Sequence, residues 1–138
     1  MNQKTKLILA GLFFLFIALR LPGIALPYHQ DEWKVVRGVE MGATGASGLF
    51  HPPLTQLLFR ADGAIFGSDY MRMLPLIFSL FSAFLLFMVV RRRAGEGGAL
   101  FSLFLYAICF YSIWASLMVD TDGAILPTFL LLAVYAYD

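Results

Sequence analysis

Four carboxylates and a small set of bases carry whatever chemistry this sequence offers. Asp31 and Glu32 stand side by side, with His29 just before them, Lys34 just after and Arg37 one turn further on. Asp120 and Asp122 form an Asp-x-Asp-Gly turn much later in the chain, and His51 precedes a Pro-Pro pair. An ionised acid within reach of a hydroxyl is a general base, and a nearby cation can neutralise an anionic leaving group. Beside a low-dielectric wall the pKa of Asp31 or Glu32 tends upward, while Lys34 or Arg37 opposes that shift. His29 and His51 are polar or substrate contacts, or metal ligands; no close spacing such as His-Glu-x-x-His supports the metal reading. Asp122 also reads as the N-cap of a following helix, a purely structural use of an acid. Lys34, Arg37 and Arg72 are suited to an anionic phosphate, and pairing with Glu40, Asp62 or Asp69 is the simpler use of any one of them.

The elements that position these groups are set by the chain's apolarity. Of the 138 residues, 60% are hydrophobic and 14% charged, and the mean hydropathy is +0.79, too apolar for a soluble domain of this length. A net charge of +1 excludes the basic surface that nucleic-acid binding needs. One cysteine, Cys109, excludes an internal disulfide framework and a Cys-rich metal site, and it reads as a packing residue within an apolar run. A bilayer core takes about 20 helical residues to cross. Runs at 7–26, 74–90, 99–119 and 124–137 are the candidate spans. The first is favoured as a retained anchor over a signal peptide because no A-x-A pattern follows it, and Arg20 near its end is expected to snorkel to the headgroups. The last run, about 14 residues or roughly 21 Å of helix, is short for a crossing and is expected to be cut off within its span.

Lys4 and Lys6 before the first run, and Arg91, Arg92 and Arg93 after the second, fix the orientation. Basic short loops stay in the cytoplasm, which puts the N-terminus and the triplet inside and the loop 27–72 outside. Gly95, Gly97 and Gly98 make the inner turn, and the third run delivers Asp120 and Asp122 outward to the side of Asp31 and Glu32. Two amphipathic stretches are predicted within the outer loop. In the first, Val35, Val36 and Val39 share a face opposite Lys34, Arg37 and Glu40; in the second, after Pro52 and Pro53, Leu54, Leu57, Leu58 and Ala61 recur at helical spacing. With a Gly-rich connection at 42–48 between them, both are expected to lie flat in the membrane interface. The fold class is therefore all-α: a polytopic transmembrane helix bundle of about four spans with two short interfacial helices.

The order of these features resembles the start of the membrane-embedded, C-type glycosyltransferases. The residues that carry the likeness are His29-Gln30-Asp31-Glu32 after the first span, His51-Pro52-Pro53-Leu54, Gly67 with Tyr70-Met71-Arg72, the arginine triplet, and Val119-Asp120-Thr121-Asp122-Gly123. The closest pattern is that of the protein O-mannosyltransferase, aminoarabinose transferase and lipopolysaccharide core galacturonosyltransferase group. The resemblance implies residues 1–138 as the N-terminal part of a transferase domain in the plasma membrane. It implies a polyprenyl-phosphate sugar as donor and a lipid, glycan or protein as acceptor, at the extracytoplasmic face. It assigns Asp31 as catalytic base and Glu32 as its support or a metal contact, with either Asp120 or Asp122 as the later outer acid. Lys34 and Arg37 would hold the donor phosphate, while His29 and His51 line the substrate site. No cofactor is demanded, and a divalent metal is left open. Two other classes fit the same composition: a small non-catalytic membrane protein that binds or assembles through its outer loop, and an ion or solute transporter. The transporter reading is weakened because no acid or base lies at the middle of a span.

Overall fold

The computed structural model describes residues 2–40 and 53–137. The described residues are helical, with no strand among them. Asn2 caps α1 (Gln3–Ala18), its side chain accepting the Thr5 backbone N–H at 2.8 Å. The helix gives way at Leu19 and Arg20 because Pro22 follows, and a proline ring cannot sit inside a continuing helix without losing a bond and meeting the carbonyl four residues back. A single turn, α2 (Leu21–Ile24), resumes the path, so the first apolar run is kinked. Next come α3 (Glu32–Glu40) and α4 (Pro53–Phe66), and a 3₁₀ turn at Ser68–Tyr70 leads into α5 (Met73–Ile108).

A straight helix of 36 residues would be about 54 Å long, with residues 27 apart separated by roughly 40 Å. Yet Ser79 Oγ and Tyr106 Oη lie 3.4 Å apart, so α5 doubles back on itself. The reversal is at Gly95, with φ 74° and ψ −177°, a backbone region open essentially to glycine alone. Leu76, Ala83 and Phe87 of the first arm then meet Ala99, Leu103 and Ala107 of the second, and Phe16 of α1 closes the cluster, its ring 5.7 Å from that of Tyr106. Alanines at these positions let the backbones approach closely, as in packed membrane helices. After α6 (Phe110–Ala115), a π turn at Thr121–Ile125 enters α7 (Leu126–Tyr137), which docks on α5 with the Thr128 and Ser82 hydroxyls 2.6 Å apart.

Two helical stretches, Gln3–Ile24 and Ser68–Ile108, are long and apolar enough to cross a membrane. At one end of the bundle the Thr5 hydroxyl reaches Glu96 at 3.0 Å, Arg91 lies 3.5 Å from the same carboxylate, and Arg92 binds the Tyr135 carbonyl. The N-terminus and the arginine triplet therefore share an end of the bundle. Large apolar side chains cover much of the outside, among them Leu7, Phe14, Phe101, Phe110 and Leu130.

The third run departs from expectation. Instead of one helix over 99–119, the chain breaks at Cys109, whose backbone is extended and whose side chain is exposed rather than packed. Arg20 departs as well, for a connected reason. It does not snorkel; it is fully buried, donating to Phe16 O at 3.0 Å, Ala107 O at 3.1 Å, Ser116 Oγ at 2.8 Å and Ser112 Oγ at 2.9 Å. The Ala107 carbonyl belongs to the last turn before the break, where helical partners run out, and the guanidinium supplies the donor. Its carbon also lies 3.4 Å from the centre of the Phe16 ring.

Candidate functional site

At the end of the bundle opposite Glu96, the chain gathers around a buried ion pair. Glu32, in the first turn of α3, and Arg72, at the N-cap of α5, are both almost fully enclosed. Arg72 donates Nη2 to Glu32 Oε2 at 2.8 Å and Nε to Oε1 at 3.3 Å, the fork geometry that suits a carboxylate. Its remaining donors hold the carbonyls of Gly23 (2.8 Å), Leu26 (2.7 Å) and Pro27 (3.0 Å), the last of which shares Nη2 with Glu32. Those carbonyls end α2 and its exit loop, so one side chain ties the end of the first apolar run to the start of α5.

Glu32 extends the tie to a third segment. Its Oε2 accepts the His29 N–H at 2.6 Å, and its Oε1 accepts the Val119 N–H at 3.0 Å. Burial alone would raise the pKa of Glu32, but the Arg72 hydrogen bonds, the two backbone N–H groups and the Arg72 charge hold it below the ordinary glutamate value. Each oxygen thus has two donors. With both oxygens occupied, Glu32 fixes its neighbours and offers no free lone pair in this arrangement.

The consequence for the acids is direct. Asp31 precedes Glu32 and Asp120 follows Val119, so the Glu32–Val119 hydrogen bond brings the two acidic segments together from 87 residues apart. Asp31 is exposed and pairs with Lys34 Nζ at 2.7 Å, with side chains 74% and 66% exposed. Lys34's hydrogen bond and charge pull the Asp31 pKa below its ordinary value, which keeps the carboxylate ionised at neutral pH. An ion pair this open contributes little to stability and yields easily to an incoming anion. The N-cap of the π turn is Asp120, not Asp122; its carboxylate accepts the Thr121 N–H at 2.6 Å because its own backbone is extended and the turn starts one residue later. Asp122 is exposed in the first turn.

Other expected groups fall near this centre. The side chain of His29 is exposed beside the pair, while its N–H is spent on Glu32. Arg37 lies 5.9 Å over the Trp33 ring. In place of Glu40, Asp62 or Asp69, Lys34 takes Asp31 and Arg72 takes Glu32, and among the described residues the Asp62 carboxyl has no hydrogen-bond partner. His51 and the connection 42–48 lie outside the described residues. Among the described residues, no three His, Cys, Asp or Glu side chains gather as a metal-binding set.

Tyr28 is a positioning residue that the sequence reading passed over. Its hydroxyl donates to Ser68 O at 2.7 Å and accepts the Met71 N–H at 3.0 Å, clamping the turn that delivers Arg72. Its ring packs edge-on to Trp33 and under the Arg72 guanidinium. Its place directly before the His-Gln-Asp-Glu segment was the only signal, and an aromatic at a span exit ordinarily reads as an interface anchor.

α4 also differs from its simple amphipathic reading. Of the predicted stripe, Leu54, Leu57 and Ala61 are exposed while Leu58 is partly buried against the cluster of Val35, Val36 and Phe59; the fully buried residues are Thr55, Phe59 and Asp62. Most of the apolar stripe is therefore turned away from the rest of the protein. No protein-family model, no curated protein and no solved structure matches the chain.

Proposed function

We propose that this chain carries out sugar transfer at the extracytoplasmic face of a membrane, from a polyprenyl-phosphate donor to a hydroxyl of a lipid, glycan or protein. The observation that carries the reading is the Glu32 latch, which holds an exposed, ionised Asp31 next to the Asp120 segment at the end of the bundle away from the arginine triplet. In topology, four membrane-crossing stretches place Lys4, Lys6 and the triplet on the cytoplasmic side and the latch outside. The outward apolar stripe of α4 supports an interfacial position for the outer loop.

In the proposed reaction, Asp31 accepts the proton of the acceptor hydroxyl as its oxygen bonds to the anomeric carbon. The bond from that carbon to the phosphate oxygen breaks, and the polyprenyl phosphate departs with the electron pair. Lys34, released from Asp31 as the carboxylate is protonated, and Arg37 neutralise the departing phosphate. Glu32 and Arg72 act as positioning residues, and Asp120 or Asp122 with His29 and His51 would contact the substrates. Asp31→Asn in the complete protein tests this: transfer should fall by about 10²–10⁴-fold, the range for loss of a general base, with membrane insertion unchanged. Wild-type turnover in that variant would remove Asp31 from the role.

A further inference from the structure

Asp62 presents a problem that the sugar-transfer reading leaves unsolved. It lies on the inward face of α4, 3% exposed, and among the described residues neither carboxyl oxygen has a hydrogen-bond partner. Phe59, one turn earlier on the same face, belongs to an apolar cluster with Val35, Val36, Met71, Val119 and Ile125. The charged and titratable groups on the elements packed against α4 are committed elsewhere or do not bond it. Glu32 and Arg72 hold each other, Lys34 holds Asp31 and Arg37 lies over Trp33. Glu40 of α3, Arg60 of α4 itself, and Asp69 and Tyr70 of the 3₁₀ turn make no hydrogen bond to either oxygen. The N–H of Leu74, in the first turn of α5, is close enough to favour the charged form but falls short of hydrogen-bond geometry. A buried carboxylate with no partner is costly, and the economical state of such a group is the neutral acid.

The connection after α4 turns at a single residue. Gly67, between α4 and the 3₁₀ turn, has φ 83° and ψ 163°, again a glycine-only conformation, and nothing lies within 4 Å of where a Cβ would be. Immediately beyond it, Tyr28 pins Ser68 and Met71. Gly67 thus joins α4 to a fixed mount, and Phe59 of α4 completes the apolar cluster that includes Val119.

We propose that α4 is a proton-latched flap: with Asp62 neutral it stays docked on the apolar cluster, and loss of the Asp62 proton to solvent releases it about Gly67. This stands independently of sugar transfer. Burial raises the Asp62 pKa to about 7 in the docked state, against 3.8 for the freely solvated group. The docked state therefore binds the proton more tightly, so docking weakens as pH rises from about 3.8 to about 7 and levels off above that.

Hydrogen exchange of the α4 amides in the full chain, reconstituted in lipid, reads the equilibrium once corrected for intrinsic exchange rates. Wild-type α4 should lose protection by about a hundredfold between pH 5 and pH 8, while α5 amides do not change. Asp62→Asn should keep α4 protected at every pH. An α4 profile flat with pH in the wild type, or the same loss in Asp62→Asn, would overturn the proposal. Infrared titration of the unsubstituted protein gives a reading that needs no variant: a protonated-carboxyl stretch should disappear with a midpoint near pH 7. Loss of all such signal near pH 4 would overturn it equally.

Discussion

Breaking the Glu32–Arg72 pair should cost more than any single contact at the surface, and the two ways of breaking it should differ. Side chains only 6–7% exposed leave water little room to take over the lost partner. Removing one member of a buried pair typically costs about 3–5 kcal/mol, because the other charge is stranded. Glu32→Gln keeps Arg72 bound to the Gly23, Leu26 and Pro27 carbonyls, which softens the loss to about 3 kcal/mol. Arg72→Met strands both Glu32 and those carbonyls, so about 4–5 kcal/mol is expected. In the double variant neither charge is left alone, and the double-mutant cycle should return a coupling of about 2–3 kcal/mol. Titrating the purified protein from mild detergent into a denaturing one, followed by helical circular dichroism, measures each value. The depressed Glu32 pKa adds a pH signature: its contribution is present above the unfolded glutamate value of 4.5 and is lost as pH falls through the lower folded value, a loss that Glu32→Gln should not show. Single variants each costing under about 1 kcal/mol and adding without coupling would refute a buried latch.

The Lys34 pairing bears on rate rather than stability. The acid limb of the transfer rate against pH should lie below the ordinary aspartate value of 3.8, and Lys34→Gln should move it upward toward that value while also raising KM for the anionic donor; an unmoved limb would separate Lys34 from the base. Arg20→Lys should destabilise by about 2–4 kcal/mol in the same unfolding titration, since a single ammonium cannot serve the four acceptors that the guanidinium reaches across α1, α5 and α6. A cost as small as that of an exposed lysine exchange would show that the buried arrangement is dispensable.

The sequence was most legible where pattern and chemistry are local. Helix periodicity marked α3 and the start of α4 at Pro53, and the arginine triplet with Gly95 marked the hairpin that folds α5. The approach of the two acidic segments followed from counting apolar runs between them. What stayed hidden depends on partners far along the chain. Nothing near Glu32 reveals that its cation is Arg72, 40 residues away, and nothing near Arg20 reveals that a break at Cys109 frees a carbonyl for it. A charge close to the end of an apolar run reads as a snorkelling side chain unless its acceptors are known. The α4 stripe was legible from its spacing, but the burial of Thr55, Phe59 and Asp62 on the other side was not, because periodicity does not say which face meets protein. Asp62 was legible only as an acid that could pair with Lys34, Arg37 or Arg72; its burial without a hydrogen bond among the described residues depends on how α4 packs, which local spacing does not set.

The most direct test supplies a polyprenyl-phosphate sugar to the outer face of proteoliposomes containing the complete protein, with candidate acceptors present, and follows the free polyprenyl phosphate and the glycosylated acceptor together by mass spectrometry. Equal amounts of both products in the wild type, and neither above background with Asp31→Asn, are expected. Absence of both products from folded, correctly oriented wild-type protein across the donor sugars, or equal yields from Asp31→Asn, would contradict transfer from this site.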